Sequence, residues 1–249
     1  MTEPLLEVRG VAIAFGGLRA VDDVSLAVPA GSLSALIGPN GAGKTTLFAI
    51  ASGFLRPDRG SVRFDGRDIT GRPPHLNARA GLTRTFQIVQ PFAGQTVRDN
   101  IAVGAHLHLA GRREALAEAE RVAARVGLAP QLDKPAADLT VAGRKRLELA
   151  RALATRPKLL LLDEVLAGLN PQEIAEMLPV VRGIVAGGVT VLMIEHVMQA
   201  VMNLAEQVWV LSQGRLIAQG TPAQVTRDPA VVEAYLGHGT AARLLEAEA

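Results

Sequence analysis

One stretch decides the fold of this chain: Ser34-Ala35-Leu36-Ile37-Gly38-Pro39-Asn40-Gly41-Ala42-Gly43-Lys44-Thr45-Thr46. Residues 33–37 form a short apolar run typical of a buried strand, and the run from Lys44 to Ser52 predicts a helix stopped by Gly53. Between them lies the pattern G-x-x-x-x-G-K-T. Backbone N–H groups can surround a phosphate only where side chains leave room, and the glycines of this loop provide that room. The stretch therefore predicts a phosphate-binding loop between a strand and a helix.

The chemistry of this loop predicts that it binds a nucleoside triphosphate with Mg²⁺. The N-terminus of the following helix carries a partial positive charge that favours phosphate. Lys44 can reach the terminal phosphates, and the Thr45 hydroxyl is a candidate Mg²⁺ ligand. The alternative, a glycine-rich turn before a helix, does not account for a strand, a helix and every fixed position together. The candidate phosphate-binding residues are Gly38, Pro39, Asn40, Gly41, Ala42, Gly43, Lys44, Thr45 and Thr46.

Length, composition and charge narrow the class of protein. The 249 residues, 49% of them hydrophobic, favour one α/β domain over residues 1–249. The net charge is only +2, and no basic stripe is interleaved with aromatic residues, so we expect no nucleic-acid partner. The absence of cysteine excludes disulfides, a thiol nucleophile and a zinc–cysteine cluster. Because the N-terminus is acidic and no uncharged run is a candidate membrane span, we expect a soluble, cytoplasmic protein.

Four β-like runs predict an antiparallel sheet beside the nucleotide site. They are Leu5–Val8, Val11–Phe15, Val24–Val28 and Ser61–Phe64. The ring of Phe15 could stack on adenine, or it could pack on the face of its strand. Residues 93–156 are rich in alanine and leucine, and they predict a helical subdomain inserted in the α/β core.

Two acids follow the strand predicted after this helical segment. Leu159–Leu162 is a continuous apolar run, as expected of a parallel strand covered on both faces. Asp163 and Glu164 come at its C-terminal end, where open α/β sheets bind ligands. Hydrolysis of a triphosphate needs a second Mg²⁺ ligand and a base for water, and Asp163 and Glu164 suit these two roles. Each acid alone could be a solvated loop carboxylate, but the pair after four leucines favours the functional interpretation.

Over residues 5–237 the chain resembles the nucleotide-binding subunit of ABC transporters. The resemblance implies an α/β P-loop ATPase fold: a mixed or parallel core sheet, an N-terminal antiparallel β-subdomain and an inserted α-helical subdomain. It also implies roles for residues outside the phosphate loop. Gln87 corresponds to a glutamine that senses metal and water, His196 to the switch histidine and Asn170 to the D-loop residue. Thr140, Val141, Ala142 and Gly143 correspond to the signature, which acts on the ATP of a partner subunit.

Within the family, three segments look most like ATPases of branched-chain amino-acid uptake systems: Thr83–Gln87, Arg144–Leu153 and the following Ala167-Gly168-Leu169-Asn170-Pro171. ATPases of lipopolysaccharide export share much of this pattern, so that alternative stays open. A soluble ABC-type mechanoenzyme would need a coiled-coil insertion or a second cassette. A small-molecule kinase would leave the signature helix, Asp163-Glu164 and His196 unexplained.

The resemblance also implies partners and a location. We expect transmembrane permease subunits, a second ATPase subunit arranged head-to-tail, and a substrate-binding protein that acts indirectly. The chain would then lie at the inner face of the cell membrane. Residues 88–92 (Ile-Val-Gln-Pro-Phe) could receive a helix of a permease, or they could pack at the joint of the helical subdomain.

The signature departs from the usual Leu-Ser-Gly-Gly-Gln. Thr140 keeps a hydroxyl and is the expected N-cap of the next helix, whereas Val141 and Ala142 replace glycines and Gly143 replaces glutamine. The change can be tolerated drift, or it can weaken one ATP site of a heterodimer. Asn170-Pro171-Gln172-Glu173 predicts a capping box with proline at the first helical position. Asn170 replaces the commoner aspartate of the D-loop, and asparagine caps a helix equally well.

Overall fold

The structure is a computed structural model that describes residues 3–87 and 90–236. The described residues fall into two compact units: the first runs to Arg72 and resumes at Leu192, and the second is Pro73–Val191. The strands are β1 (Leu6–Phe15), β2 (Leu18–Val28), β3 (Leu33–Ile37), β4 (Arg59–Phe64), β5 (Arg67–Asp68), β6 (Leu82–Arg84), β7 (Leu159–Asp163), β8 (Thr190–Ile194), β9 (Gln207–Ser212) and β10 (Arg215–Gly220). The helices are α1 (Lys44–Ser52), α2 (Pro74–Ala80), α3 (Val97–Ala105), α4 (Arg112–Arg125), α5 (Val141–Ala154), α6 (Pro171–Ala186), α7 (Met198–Leu204), α8 (Pro222–Val225) and α9 (Pro229–Leu236). Within the described ranges, no helix combines the length and apolar character that crossing a membrane requires.

The first unit contains the predicted antiparallel sheet, in the order β2-β1-β4-β5. The prediction of two separate strands before Phe15 was wrong, because β1 is continuous. Gly10, with φ of 54°, lies where the register with β2 shifts between Val8 and Val11, so it forms a bulge rather than a break. The strand β2 is likewise longer than predicted, since it begins at Leu18.

A second sheet of the first unit places the phosphate loop. The strand β3 is buried over its whole length and pairs in parallel with β9. The strand β9 forms an antiparallel hairpin with β10, and Gln213 and Gly214 both adopt positive φ at its turn. Parallel and antiparallel pairs occur in one sheet, which confirms a mixed core sheet.

The second unit contains the parallel pair β6–β7 and most of the long helices. All five residues of β7 are buried, as predicted for a strand covered on both faces. Helices α3, α4 and α5 pack against one another through small and branched residues such as Ala119, Val122 and Leu149. These helices lie within residues 93–156; their status as a subdomain of a single 1–249 domain remains a prediction.

Candidate nucleotide site

The phosphate loop connects β3 to α1 as predicted, and close contacts require glycine at two of its three glycine positions. A Cβ atom on Gly38 would lie 2.0 Å from the carbonyl oxygen of Leu211. At Gly43, where φ is 102°, it would lie 2.2 Å from the carbonyl oxygen of Ala20. Any side chain at these positions would displace the backbone of β9 or β2. The sequence pattern therefore reflects packing of the loop as well as room for a phosphate.

Lys44 is held inside the loop. The residue is only 6% exposed, and its Nζ donates to the carbonyl oxygens of Gly38 at 2.7 Å and Pro39 at 3.0 Å. These bonds keep the ammonium against the concave backbone, where it can neutralise phosphate charge. Thr45, the candidate Mg²⁺ ligand of this unit, is exposed in the first turn of α1.

Sequence analysis missed Tyr235, the only tyrosine of the chain. Its hydroxyl accepts a hydrogen bond from the backbone N–H of Gly38, while burial raises its pKa. The residue lies in α9, almost 200 positions from the phosphate loop along the chain, and it belongs to no motif identified above. No local sequence signal could have predicted this contact.

The first unit also holds Phe15 and His196. Phe15 ends β1 opposite Leu18 and is 49% exposed, so its ring is accessible for stacking on a base. His196 is exposed directly after β8, next to the buried Glu195. The stacking role of Phe15 and the switch role of His196 remain predictions.

In the second unit, Asp163 is almost fully buried at the end of β7. Its Oδ2 accepts a hydrogen bond of 2.7 Å from Arg84 of β6, and both side chains are less than 10% exposed. Sequence analysis did not single out Arg84. Its partner lies 79 residues further along the chain, and only the parallel pairing of β6 with β7 brings the two side chains together.

Asp163 fits the predicted role of a metal ligand. Its second oxygen, Oδ1, is buried and has no hydrogen-bond partner among the residues that the structure describes. A buried carboxylate oxygen without a partner is costly, and a bound cation or its water would satisfy it. Mg²⁺ commonly takes only one or two protein carboxylates and completes its shell with phosphates and water. The chemistry of Asp163 therefore suits this cation.

Glu164 and Gln87 are brought together, as their proposed roles require. The Nε2 of Gln87 donates to Oε2 of Glu164 at 2.6 Å. Glu164 adopts φ of 51°, a left-handed conformation that is unfavourable for a residue with a side chain. Strain of this kind persists where surrounding contacts hold the backbone, and it is common in active sites.

The signature residues begin α5. Thr140 is its N-cap, and its Oγ1 accepts from the backbone N–H of Gly143 at 3.1 Å, as predicted. Val141 follows with 51% of its surface exposed, at the position where the family has glycine. A cavity of about 390 Å³ is lined by Thr140, Gly143 and Asn170, among others. Asn170 also caps α6 through a complete capping box with Glu173, as predicted.

Comparison with known proteins identifies the family. Residues 21–167 match the family described as ABC transporter, and residues 215–241 match the branched-chain amino acid ATP-binding cassette transporter family. The chain is 41% identical to BraF of Pseudomonas aeruginosa, a high-affinity branched-chain amino acid transport ATP-binding protein, over 95% of this chain and 99% of that protein. It is 38% identical to the Escherichia coli K12 protein of the same description, LivG, over the same shares.

Solved structures of ATP-binding cassettes also match the chain over nearly its whole length. A nucleotide-free ATP-binding cassette from an ABC transporter matches with a TM-score of 0.86 and 32% identity, over 94% of this chain and all of that one. An ATP-binding cassette in its ADP conformation matches with a TM-score of 0.85 and 33% identity, over 95% of this chain and all of that one. The chain therefore belongs to the ABC transporter family, and it is an ATP-hydrolysing subunit with the predicted α/β cassette fold.

Proposed function

We propose that this chain is the ATPase subunit of an uptake system for branched-chain amino acids or a similar small solute. Relatives named for branched-chain amino acid transport support this cargo class over lipopolysaccharide export and over a soluble mechanoenzyme. The C-terminal match at residues 215–241 supports it independently of the nucleotide-binding motifs.

The observation that carries the hydrolytic assignment is the bond between Gln87 and Glu164, directly after the strand that ends in Asp163. Glu164 polarises the attacking water as a general base, and Gln87 orients that water and the carboxylate. Mg²⁺, when bound with ATP, neutralises phosphate charge; Thr45, Asp163 and Gln87 are the residues that would hold it.

Residues of the phosphate loop bind and orient the nucleotide. Backbone N–H groups of the loop and the N-terminus of α1 attract the phosphates, and Lys44 neutralises their charge. Phe15 stacks on adenine. His196 donates a hydrogen bond to the terminal phosphate, where charge shifts during cleavage.

The partners follow from the same assignment. A second ATPase subunit contacts the ATP of this chain through its signature. Thr140 and its neighbours contact the ATP of that second subunit in the same way. Because Val141 and Ala142 replace glycines that would permit close approach, we favour a different chain as that partner. Permease subunits hold the pair at the inner face of the membrane. The exposed rings of Phe86 and Phe92 support docking of a permease segment near residues 88–92; Ile88 and Val89 lie outside the described residues.

Co-purification tests this assignment. The tagged full chain, isolated from a detergent extract of its own cells, should bring down a permease with several membrane spans and a second ATPase chain. Reconstituted in proteoliposomes with ATP and the substrate-binding protein of the system, the complex should accumulate labelled leucine, isoleucine or valine, and the matched complex with Lys44→Ala should not. A complex without a permease would contradict the transport role. A transporting complex that excludes these amino acids would contradict branched-chain amino acids as the cargo and leave a similar small solute.

A further inference from the structure

We propose that Lys145 is a positioning residue for ATP hydrolysis, whose ammonium ties the signature helix to the backbones of Glu164 and Gln87. The inference rests on the proposed function, because it takes Glu164 as the base and Gln87 as the glutamine that orients water.

The position of Lys145 is unusual for a lysine. It lies in the second turn of α5, five residues after the N-cap Thr140, and it is only 6% exposed. Its Nζ donates to the carbonyl oxygen of Glu164 at 3.0 Å and approaches that of Gln87 at 3.4 Å. Lysine is rarely buried, and a buried ammonium is stable only when hydrogen bonds replace water. These main-chain carbonyls supply such bonds.

The two carbonyls belong to the two residues whose side chains are joined. Gln87 donates to the Glu164 carboxylate, so one ammonium contacts the backbones of both the donor and the acceptor of that bond. Glu164 is also the residue with the left-handed backbone, which needs surrounding contacts to persist. The bond from Lys145 to its carbonyl oxygen is a contact of that kind.

Two other side chains of α5 form hydrogen bonds with the main chain on either side of Gln87. Glu148 accepts from the backbone N–H of Phe86 at 2.5 Å, and burial raises the pKa of its carboxyl. Arg151 donates to the carbonyl oxygen of Gln90 at 2.9 Å, and burial lowers the pKa of its guanidinium. Spacings of three residues place these side chains near one face of the helix. Of these three side chains, Lys145 contacts both the backbone of Gln87 and the turn after β7, at the carbonyl oxygen of Glu164.

This arrangement links the signature to the base through one rigid element. Thr140 and Lys145 lie near the same end of α5, so a displacement of the signature moves the anchor of Glu164. A misplacement of about 1 Å can cost about a hundredfold in rate. Loss of the anchor should therefore lower kcat while ATP binding at the phosphate loop is retained.

The test compares Lys145→Met, which removes the ammonium, with Lys145→Arg, which keeps donors at the site. The matched control is Glu118→Gln in α4, a buried charged residue that bonds Arg156 away from the loop. On the full chain we expect Lys145→Met to lower kcat at least tenfold with the ATP Kd within twofold, and Lys145→Arg to recover part of the loss. Glu118→Gln should retain the parental kcat, even if it lowers the midpoint of urea unfolding as much as Lys145→Met does. A kcat for Lys145→Met within twofold of the parent, or no lower than that of the control, would overturn the proposal.

The same variants in a Glu164→Gln background separate this inference from the proposed function. With the base removed, Lys145→Met should change the single-turnover rate less than twofold, because the carboxylate that Gln87 and Lys145 together hold in place is no longer there. A further tenfold loss in that background would overturn the role of Lys145 and leave the base assignment intact. Full activity of Glu164→Gln alone would instead overturn the base assignment, and the inference with it.

Discussion

Replacing Arg84 by methionine tests whether the geometry of Asp163 depends on the buried ion pair. The two side chains are 7% and 2% exposed, and their closest atoms, Nη2 and Oδ2, are 2.7 Å apart. Methionine keeps much of the volume of arginine but cannot donate, so the Asp163 carboxylate would lose this partner while both of its oxygens stay buried. The Arg84 guanidinium also lies 5.5 Å from the centre of the Phe86 ring, and this contact would be lost as well.

The expected cost follows from the burial of the pair. Removing one partner of a buried ion pair costs about 3–5 kcal/mol, because the remaining charge has no compensation. In a protein of this size that corresponds to a melting temperature lowered by about 10 °C. Removing both charges, in Arg84→Met with Asp163→Asn, should cost far less than the sum of the single variants, since neither charge is then left buried alone.

Urea unfolding, monitored by far-ultraviolet circular dichroism, gives the free energy of unfolding of the parent, the two single variants and the double variant. We expect a strongly favourable coupling energy between Arg84 and Asp163. A free energy of unfolding for Arg84→Met within about 1 kcal/mol of the parent would refute the reasoning, because only an exposed pair contributes so little.

Three further predictions concern the nucleotide. Lys44→Ala should weaken ATP binding at least about tenfold, because the ammonium neutralises phosphate charge in the ground state too; a titration with labelled ATP that gives parental affinity would contradict this. His196→Ala should bind ATP normally and hydrolyse it about a hundredfold more slowly, and equal turnover would remove the histidine from the mechanism. Restoring the signature by Val141→Gly, Ala142→Gly and Gly143→Gln should tighten an ATP-dependent homodimer of a hydrolysis-deficient chain. Sedimentation with ATP that shows no tighter dimer would mark these substitutions as neutral drift.

The parts of the fold predicted correctly are those specified by adjacent residues. The strand, glycine loop and helix at residues 33–52 form a local pattern, and so do the apolar strand that ends at Asp163 and the capping box at Asn170. In each case the signal lies in neighbouring residues: an apolar run, closely spaced glycines or a capping side chain. Short-range physical chemistry was therefore sufficient.

The errors occur where a local signal is ambiguous. Gly10 was interpreted as a break, yet it is a bulge within β1, and only pairing with β2 distinguishes the two. The helix α7 was not predicted, because it has seven residues and its N-cap, Val197, makes no side-chain capping bond.

The contacts around the site could not be predicted from the sequence for a different reason. Arg84 with Asp163, Lys145 with Glu164, and Tyr235 with Gly38 each join different elements of the chain. The side chains that support the predicted site residues become visible only once strands and helices are packed. The motifs predict the residues of the site, and the structure identifies the side chains that contact them.

The most direct test of the central claim, that Glu164 is the base for ATP hydrolysis, is single-turnover hydrolysis of labelled ATP by the full-length Glu164→Gln variant. A general base contributes about 10²–10⁴-fold, so the variant should hydrolyse ATP at least about a hundredfold more slowly. Its ATP affinity should stay within twofold of the parent, because the substitution leaves the phosphate loop unchanged. A rate close to that of the parent would contradict the account.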